Sequence, residues 1–255
     1  MGRVLAVVSQ KGGVGKTTTS VNLAAAFARR GLKTLIVDVD PQGAVRYGIG
    51  LRRGHATYGF ADYLAGERQL REVILPTALP WLRVILAGAV SDAANHSDYQ
   101  KLVAESDLLG GLLRTARERC DIVVVDTPPG LGPVVIQVLR DSQHVIVPLQ
   151  TEPLALQTTP QILRGIQELA DVNPELTLDG LLLTMYESGH AAAERVAQYV
   201  RSHLPANLVF DLVIPRSVAA TEAFAAGQPV VLRTPADPVA QAYVNLATLL
   251  VERFG

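Results

Sequence analysis

Short apolar segments alternate with longer amphipathic stretches along the chain. The apolar segments predict strands at Val4–Val8, Thr34–Val37, Leu82–Leu86, Ile122–Val125, His144–Pro148, Leu178–Leu183 and Leu208–Asp211. Most of these segments are apolar at consecutive positions rather than at alternate ones, which is typical of strands that are buried on both faces. The pattern therefore indicates a sheet that is covered on each side.

The stretches between the strands have helical periodicity. They predict helices at Thr17–Arg29, Tyr99–Glu118, Leu154–Leu169, Ala191–His203 and Pro238–Arg253. Strands that alternate with helices predict an α/β fold, with a mostly parallel twisted sheet and helices on both faces. Right-handed crossovers bring the carboxyl ends of such strands to one edge, where ligands bind. The stretch Gly48–Gly59 is interpreted as a long surface connection.

Composition limits the function classes that need to be considered. The 255 residues are 49% hydrophobic and contain no linker, so we expect a single domain over residues 1–255, without an N-terminal helix-turn-helix domain. The net charge of −1 gives no global attraction to nucleic acid or anionic membrane, so such binding would need a local patch. One cysteine, Cys120, excludes an internal disulfide, and no apolar run reaches the roughly 18 residues of a membrane span. These features favour a soluble, cytoplasmic protein.

The first predicted strand leads into the segment SQKGGVGKTTTSVN, from Ser9 to Asn22. This segment is close to the phosphate-loop pattern G-x-x-x-x-G-K-[ST], but Gln10 stands where that pattern has its first glycine, and Lys11 comes next. The chain has 4 lysines against 19 arginines, and two of the four, Lys11 and Lys16, lie in this segment. We therefore interpret the pair of lysines as a functional feature.

The glycines and the helix start suit this segment to binding phosphate. The residues that would surround the phosphates are Gly12, Gly13, Val14 and Gly15. Glycine tolerates the backbone conformations of a tight loop and leaves N–H groups free to approach phosphate oxygens. The helix that follows adds unpaired N–H groups and a positive dipole end. Lys16 would reach the β and γ phosphates of a nucleotide, and the Thr17 hydroxyl would be a ligand of Mg²⁺.

Aspartates follow two other predicted strands. The segment LIVDVDPQG ends a strand with Asp38 and Asp40, and CDIVVVDTPPG ends another with Asp126. The carboxyl edge of a parallel sheet is where Mg²⁺ and its waters would lie. Each aspartate alone could be an ordinary turn residue, but three motifs that each follow an apolar strand predict one magnesium nucleotide site.

These motifs resemble those of a known family. The segments KGGVGKTT, VDVDPQG, VVVDTPPGLG, VIVPLQTEPLAL, LLTMYES and VIPRS are similar to those of the ParA/MinD superfamily of deviant Walker-type ATPases, which have a P-loop NTPase fold. The similarity extends from the first strand to the last helix. It is strongest to the short, Soj-like ParA branch, which lacks an N-terminal DNA-reading domain.

The resemblance implies roles for individual residues. Lys11 would reach across a dimer interface to the phosphates held by the other subunit, so that ATP is buried between two copies. Asp40 would position or activate the attacking water, while Asp38 and Asp126 would hold Mg²⁺ through waters. Pro215 would lie near the adenine. The implied nucleotide-binding set is Lys11, Gly12, Gly13, Val14, Gly15, Lys16, Thr17, Thr18 and Pro215, of which Lys11 and Lys16, together with Asp40, would be catalytic.

The chain departs from this family at the surface that holds nonspecific DNA in ParA-type dimers. Gly189–His190 and Val218–Ala220 stand where relatives often have arginine. Other basic residues could form a replacement patch that a dimer doubles, or they could be unrelated solvated side chains of an arginine-rich chain. The candidate DNA-binding residues are Arg195, Arg201 and Arg216.

The resemblance implies an ATP-dependent dimerising switch with slow intrinsic hydrolysis. Such a switch partitions or positions a chromosome, a plasmid or a protein assembly, with nonspecific DNA as its track and a ParB-like or other partner as its activator. One alternative is a MinD-like ATPase on a membrane, but Tyr243, Leu246 and Leu250 recur at the spacing of a helix that packs on its own domain. Another alternative is a P-loop ligase for small molecules. A metal-carrying relative would need more cysteines than Cys120.

Overall fold

The computed structural model describes residues 1–51, 58–88 and 93–254, with the backbone alone at 93–97. The strands are β1 (Arg3–Val7), β2 (Thr34–Asp38), β3 (Leu75–Pro76), β4 (Leu82–Ile85), β5 (Ile122–Asp126), β6 (His144–Gln150) and β7 (Thr177–Thr184). The α-helices are α1 (Lys16–Arg29), α2 (Val45–Gly48), α3 (Phe60–Leu64), α4 (Leu70–Val73), α5 (Ala93–Glu105), α6 (Leu108–Arg119), α7 (Pro133–Arg140), α8 (Pro153–Ala170), α9 (Ala191–His203), α10 (Val218–Ala225), α11 (Val230–Arg233) and α12 (Pro238–Phe254).

The strands form one sheet in the order β3-β4-β2-β5-β1-β6-β7. All neighbouring pairs are parallel except β3 and β4, which pair antiparallel at one edge. The predicted α/β fold with a mostly parallel sheet is therefore confirmed. The short edge strand β3 was not predicted, because two residues carry no periodicity.

Both faces of the sheet are buried, as the continuous apolar runs predict. In β1, Val4 and Ala6 belong to the core that the helices α3 to α9 cover, whereas Leu5 and Val7 belong to the core under α1, α2, α10, α11 and α12. Side chains of a strand point alternately to opposite faces, so a run of apolar residues supplies both cores at once. No helix in the described part of the chain is both long and apolar enough to cross a membrane.

Two predicted elements were wrong. The segment Leu208–Asp211 is not a strand, because it follows a 3₁₀ turn at Ala206–Leu208 and meets β7 only through one bridge, between Val209 and Leu181. The predicted helix Tyr99–Glu118 is two helices, α5 and α6, that are separated at Ser106 and Asp107. Serine and aspartate compete for backbone hydrogen bonds and favour helix ends over helix interiors.

Two further differences concern connections. The helix α7 was missed, although Pro133 stands in its first turn, where proline is well tolerated. The surface connection predicted over Gly48–Gly59 lies mostly outside the described residues, and Gly48 itself is the last residue of α2.

The sheet register places the functional segments side by side. Asp126 at the end of β5 is in register with Val7 at the end of β1 and with Asp38 at the end of β2. The glycine-rich segment and two of the three aspartates therefore meet at the carboxyl edge of the three central strands.

Candidate active site

The glycine-rich segment forms a loop between β1 and α1. Gly13 and Gly15 have φ angles of 81° and 83°, in the left-handed region that favours glycine. A Cβ atom at Gly12 or at Gly13 would have no heavy atom within 4 Å, so the loop faces open space. Because α1 begins at Lys16, the unpaired N–H groups of its first turn open into the same space. The loop and helix start form a cradle for an anion.

Hydrogen bonds from neighbouring segments fix this loop. The Thr184 hydroxyl at the end of β7 donates to the carbonyl of Val14 at 2.8 Å. The Gly130 N–H donates to the carbonyl of Ser9 at 2.8 Å, and the Ser9 hydroxyl donates to the carbonyl of Lys11, also at 2.8 Å. Hydrogen bonds from the protein itself thus hold the loop in its bent form, which lowers the entropy cost of binding a phosphate group.

Asp126 lies at the centre of the buried part of the site. Its two carboxylate oxygens accept hydrogen bonds from the hydroxyls of Thr17 at 2.8 Å and Ser20 at 2.7 Å. The ammonium group of Lys16, which is 7% exposed, lies 3.8 Å from Asp126 and 3.5 Å from Asp40. The lysine, the hydroxyl and two of the carboxylates that the motifs predict therefore lie within one small cluster.

The loop after β2 holds the other two aspartates. Asp38 accepts hydrogen bonds from the backbone N–H groups of Asp40 at 3.1 Å and Val45 at 3.2 Å. Asp40 accepts one from the N–H of Gln42 at 2.9 Å, which leaves its other oxygen facing Lys16. Asp38 thus fixes the shape of the loop that presents Asp40.

The three aspartates of this site are buried and lie close together. Burial raises the pKa of Asp38 well above the usual range of a carboxyl group, and the charges of Asp126 and Asp40 raise that pKa further. Burial also raises the pKa of Asp126, although Lys16 and the hydroxyls of Ser20 and Thr17 oppose the shift. Desolvated carboxylates of this kind are stabilised by a bound cation.

The side chains present fit Mg²⁺ together with a nucleotide. Thr17 and Asp126 supply the hard oxygen ligands that Mg²⁺ prefers. Among the side chains that the structure describes, no group of three acidic, histidine or cysteine residues could hold a metal ion by itself. Mg²⁺ commonly takes several of its ligands from substrate phosphates and water, and a bound nucleotide would supply them here. When bound, the ion would neutralise charge that develops on a transferred phosphoryl group.

Lys11 has different surroundings from Lys16. Its side chain is half-buried at the outer end of the loop, and it forms no ion pair with any residue that the structure describes. The preceding residue, Gln10, donates a hydrogen bond to Gln161 of α8 at 3.2 Å. The two lysines of the loop therefore differ, because Lys16 lies beside carboxylates and Lys11 has no ion-pair partner among the described residues.

A cleft of about 390 Å³ adjoins the phosphate cradle. Gly15 and Thr18 of the loop and helix start line it, together with Pro215 and Phe224. Tyr243 of α12 also lines it, with its hydroxyl 3.3 Å from that of Thr19. The size and the largely apolar lining suit the base of a nucleotide.

The three candidate arginines lie outside this site or at its rim. All three side chains are exposed. Arg195 and Arg201 are six positions apart on α9, so they lie about 120° apart around the helix axis. Arg201 donates to the carbonyl of Asp211 at 3.0 Å, and Arg216 pairs with Glu187 at the mouth of the cleft. Whether they act together stays a prediction.

Several residues of the site were not predicted. Ser20 lies one turn beyond Thr17 on the same face of α1, so its spacing was an available signal. Thr184 ends β7 and Met185 follows it, but nothing in that segment of the sequence indicates a contact with Val14. Met185 has a φ of 51°, which is unusual for a residue with a side chain, and it also lines the cleft.

Comparisons with known proteins identify the family. A family model described as an AAA domain (AAA_31) matches residues 2–178. The chromosome partitioning protein ParA of Caulobacter vibrioides is 37% identical over 98% of this chain and 94% of that protein. The sporulation initiation inhibitor protein Soj of Bacillus subtilis is 34% identical over 97% of both chains.

Solved structures agree with this assignment. Cobyrinic acid a,c-diamide synthase from Mycobacterium smegmatis, with bound ADP and magnesium, has a TM-score of 0.82 and 28% identity over 100% of this chain and 96% of that one. The cell division ATPase MinD of Pyrococcus furiosus has a TM-score of 0.79 and 26% identity over the whole of both chains. The chain belongs to the ParA/MinD family, close to Soj-like ParA proteins, and is an ATPase that uses ATP and Mg²⁺.

Proposed function

We propose that this ATPase is a switch that dimerises around ATP and partitions or positions a cargo. In this proposal two chains each bind one Mg·ATP, and Lys11 of each chain contacts the phosphates in the other. The ATP dimer binds DNA without sequence preference, which retains it on the nucleoid in the cytoplasm. Slow hydrolysis, stimulated by a ParB-like or other partner, returns the protein to its monomeric state.

The observation that carries this proposal is the contrast between the two lysines of the loop. Lys16 lies within 4 Å of two carboxylates of its own chain, whereas Lys11 pairs with no described residue and lies at the rim. A cation at the rim can reach phosphates in a second chain, where it would neutralise charge as an arginine finger does. Gln10, which precedes Lys11 and replaces the usual glycine, donates a hydrogen bond to Gln161 of α8.

The remaining roles follow from the same geometry. Asp40 accepts a hydrogen bond from Gln42 and faces the ammonium group of Lys16, which supports the proposal that Asp40 orients a water molecule beside the γ phosphate. Lys16 would move from the carboxylates to the phosphates when nucleotide binds. Thr17, Asp38 and Asp126 would hold the metal ion and its waters, and Asp38 also fixes the loop that presents Asp40. Positioning of this kind, without a strong base, gives slow hydrolysis.

Light scattering tests the dimer. With Mg·ATP, Asp40→Ala should have twice the mass of the chain, because the water-positioning carboxylate is lost while the phosphate contacts remain. Lys11→Ala should stay monomeric. The matched control is Lys33→Ala, which removes an exposed lysine just before β2. Its mass in Mg·ATP should equal that of the parent protein. Equal masses for all variants in ATP would overturn the proposal.

The DNA surface is tested separately. Asp40→Ala should shift unrelated DNA duplexes equally in the presence of ATP, and the shift should weaken steeply with salt, because the contacts are to phosphates. Changing Arg195 and Arg201 to Glu should abolish the shift. The same charge change at two exposed arginines elsewhere, Arg71 and Arg119, should have little effect. If no variant binds DNA even at low salt, the proposal that nonspecific DNA is the track is wrong. The proposal of an ATP-dependent dimer is not affected by that result.

A second candidate is a P-loop ligase for small molecules. It is favoured by one observation, the 28% identity to cobyrinic acid a,c-diamide synthase over the whole length of this chain. The two candidates differ in what hydrolysis requires. A ligase should release phosphate only with an acid substrate and an amine or amide donor, whereas the switch should hydrolyse ATP alone and faster with its partner.

A further inference from the structure

Phe224 of α10 stands between the base cleft and the segment that follows Asp40. Phe224 lines the cleft, and it also lines a second cavity together with Tyr47 and Gly50. One side chain is therefore shared by the place where a base would bind and by the region around α2.

The contact between Phe224 and α2 is too close to admit a Cβ atom at position 48. A Cβ atom at Gly48, the last residue of α2, would lie 2.8 and 3.1 Å from two ring carbons of Phe224 and 3.2 Å from a methyl group of Val21. The shortest of these distances is below what real Cβ atoms show. The backbone of α2 therefore contacts the phenylalanine ring directly, and a side chain at position 48 would force the ring or α2 to shift.

A second contact of the same kind lies nearby. Gly50 and Gly227 have φ angles of 75° and 71°, and a Cβ atom at Gly50 would be 2.7 Å from the carbonyl oxygen of Gly227. A Cβ atom at Gly227 would be 2.6 Å from the Cα atom of Gly50. The end of α10 and the end of α2 are thus joined backbone to backbone.

The other end of α2 is attached to the catalytic loop. The N–H of Val45, the first residue of α2, donates to the Asp38 carboxylate, whose other oxygen accepts from the N–H of Asp40. Because α2 has only four residues, a displacement at Gly48 moves Val45 as well. The path from the base cleft to Asp40 consists of packed atoms and hydrogen bonds throughout.

We propose that Phe224 and Gly48 form a brace through which an occupied base cleft positions Asp40 for hydrolysis. This rests on the proposed placement of the base in the cleft beside Pro215. A purine reaches the Phe224 wall and holds α2, and with it Asp38 and Asp40, in the hydrolytic geometry. A pyrimidine base is smaller and does not reach Phe224, so α2 is not held in this geometry. Phe224 and Gly48 are positioning residues, since they touch neither the phosphates nor the attacking water.

The readout is the ratio of kcat for ATP to kcat for CTP, each at saturating Mg·nucleotide. The parent protein should hydrolyse ATP faster. Gly48→Ala should lower kcat for ATP on the order of 10-fold, since small displacements of positioned groups have effects of this size, and should leave kcat for CTP nearly unchanged. Gly111→Ala is the matched control, because a Cβ in that helix would meet only one atom of Arg114, at 3.9 Å.

A rescue variant separates the brace from a general loss of structure. Phe224→Val removes the ring atoms that a Cβ at position 48 would meet, so Gly48→Ala with Phe224→Val should regain most of the kcat for ATP that Gly48→Ala loses. Equal loss of ATP and CTP hydrolysis in Gly48→Ala would show a structural role only and would overturn the brace. So would a parent protein with equal kcat values for ATP and CTP.

One more variant tests the placement of the base independently. Ala220 lines the cleft, and Ala220→Phe should fill it. This change should raise the KM for ATP and leave inhibition by tripolyphosphate, which has no base, unchanged. An unchanged KM for ATP would mean that the base binds elsewhere, which is a failure of the proposed site and not of the brace contacts alone.

Discussion

The phosphate end and the base end of the nucleotide site are held by different kinds of contact. At the phosphate end, short buried hydrogen bonds of 2.7 and 2.8 Å join Asp126 to Ser20 and Thr17, and the loop carbonyls are bonded as well. At the base end, the walls come from segments far apart in the chain, and the lining is largely apolar.

This difference assigns different tasks to the two ends. Buried hydrogen bonds to charged groups are directional and costly to break, so the phosphate end holds one geometry. Apolar walls are more adaptable, so the base end can respond to what occupies it and can pass that response to Asp40. Changes at the phosphate end should therefore affect kcat strongly, and most changes at the base end should affect KM.

The largest effect is expected for Lys16→Ala. This change removes the cation that lies within 4 Å of Asp40 and Asp126 and that would bind the phosphates. Hydrolysis should fall at least about 100-fold, as it does when one group that stabilises a transition state is removed. A phosphate-release assay checks this result, with Lys33→Ala as the control. A hydrolysis rate equal to that of the parent would mean that the phosphate site is misassigned.

A smaller effect is expected for Ser20→Ala. Asp126 would lose one of its two hydroxyl donors inside the protein, at a cost of about 1–3 kcal/mol in the free energy of unfolding. Hydrolysis should fall about 10-fold, because Ser20 orients a residue that holds the metal ion.

Ser142→Ala is the comparison for this prediction. Ser142 is buried and donates to the carbonyl of Val138 at 2.7 Å, away from the site. Denaturant unfolding should show destabilisation in both variants, and hydrolysis should fall only in Ser20→Ala. Parallel losses of stability and activity in both would show that Ser20 acts through folding alone.

The smallest effect is expected at the base end, for Tyr243→Phe. The ring that lines the cleft is kept, and only the hydrogen bond to Thr19 is lost. The KM for ATP should rise about 2- to 5-fold, the equivalent of one weak neutral hydrogen bond, while kcat stays the same. A large fall in kcat would contradict the division between the two ends.

The same variant has a consequence at high pH. Burial raises the pKa of Tyr243 from 10.0 to about 12. The unfolded chain loses this proton at lower pH than the folded chain does, so the contribution to stability is full below pH 10 and is lost as pH rises towards 12. The free energy of unfolding should therefore fall less steeply over this range in Tyr243→Phe than in the parent, as unfolding titrations at several pH values can measure.

The sequence predicts the phosphate end better than the base end for a physical reason. Gly12 to Thr17 are contiguous, and their conformations follow from local rules about glycine and helix starts. Asp38 and Asp126 come at strand ends, and parallel strands bring those ends together. Pro215 was placed near the base only by resemblance, and nothing in the local pattern indicates that Phe224 packs on Gly48.

The errors in the fold have a similar origin. Apolar residues at Leu208–Asp211 predict a strand, but whether a segment joins a sheet depends on the neighbouring edge, and this one reaches β7 at a single position. The break between α5 and α6 lies at two polar residues, Ser106 and Asp107, and the stretches on either side of them are helical. Both outcomes depend on tertiary contacts, and the periodicity of a sequence does not show those contacts.

Catalysis by groups from two chains is the central claim, and mixing two inactive variants tests it most directly. Lys11→Ala keeps its own phosphate cradle but lacks the lysine for its partner, and Lys16→Ala has the reverse defect. Each variant alone should hydrolyse ATP only at a background rate. The mixture should hydrolyse ATP well above the sum of the two separate rates, because one site of each mixed dimer is complete. A mixture that only matches that sum, or a Lys11→Ala variant as active as the parent, would contradict the claim.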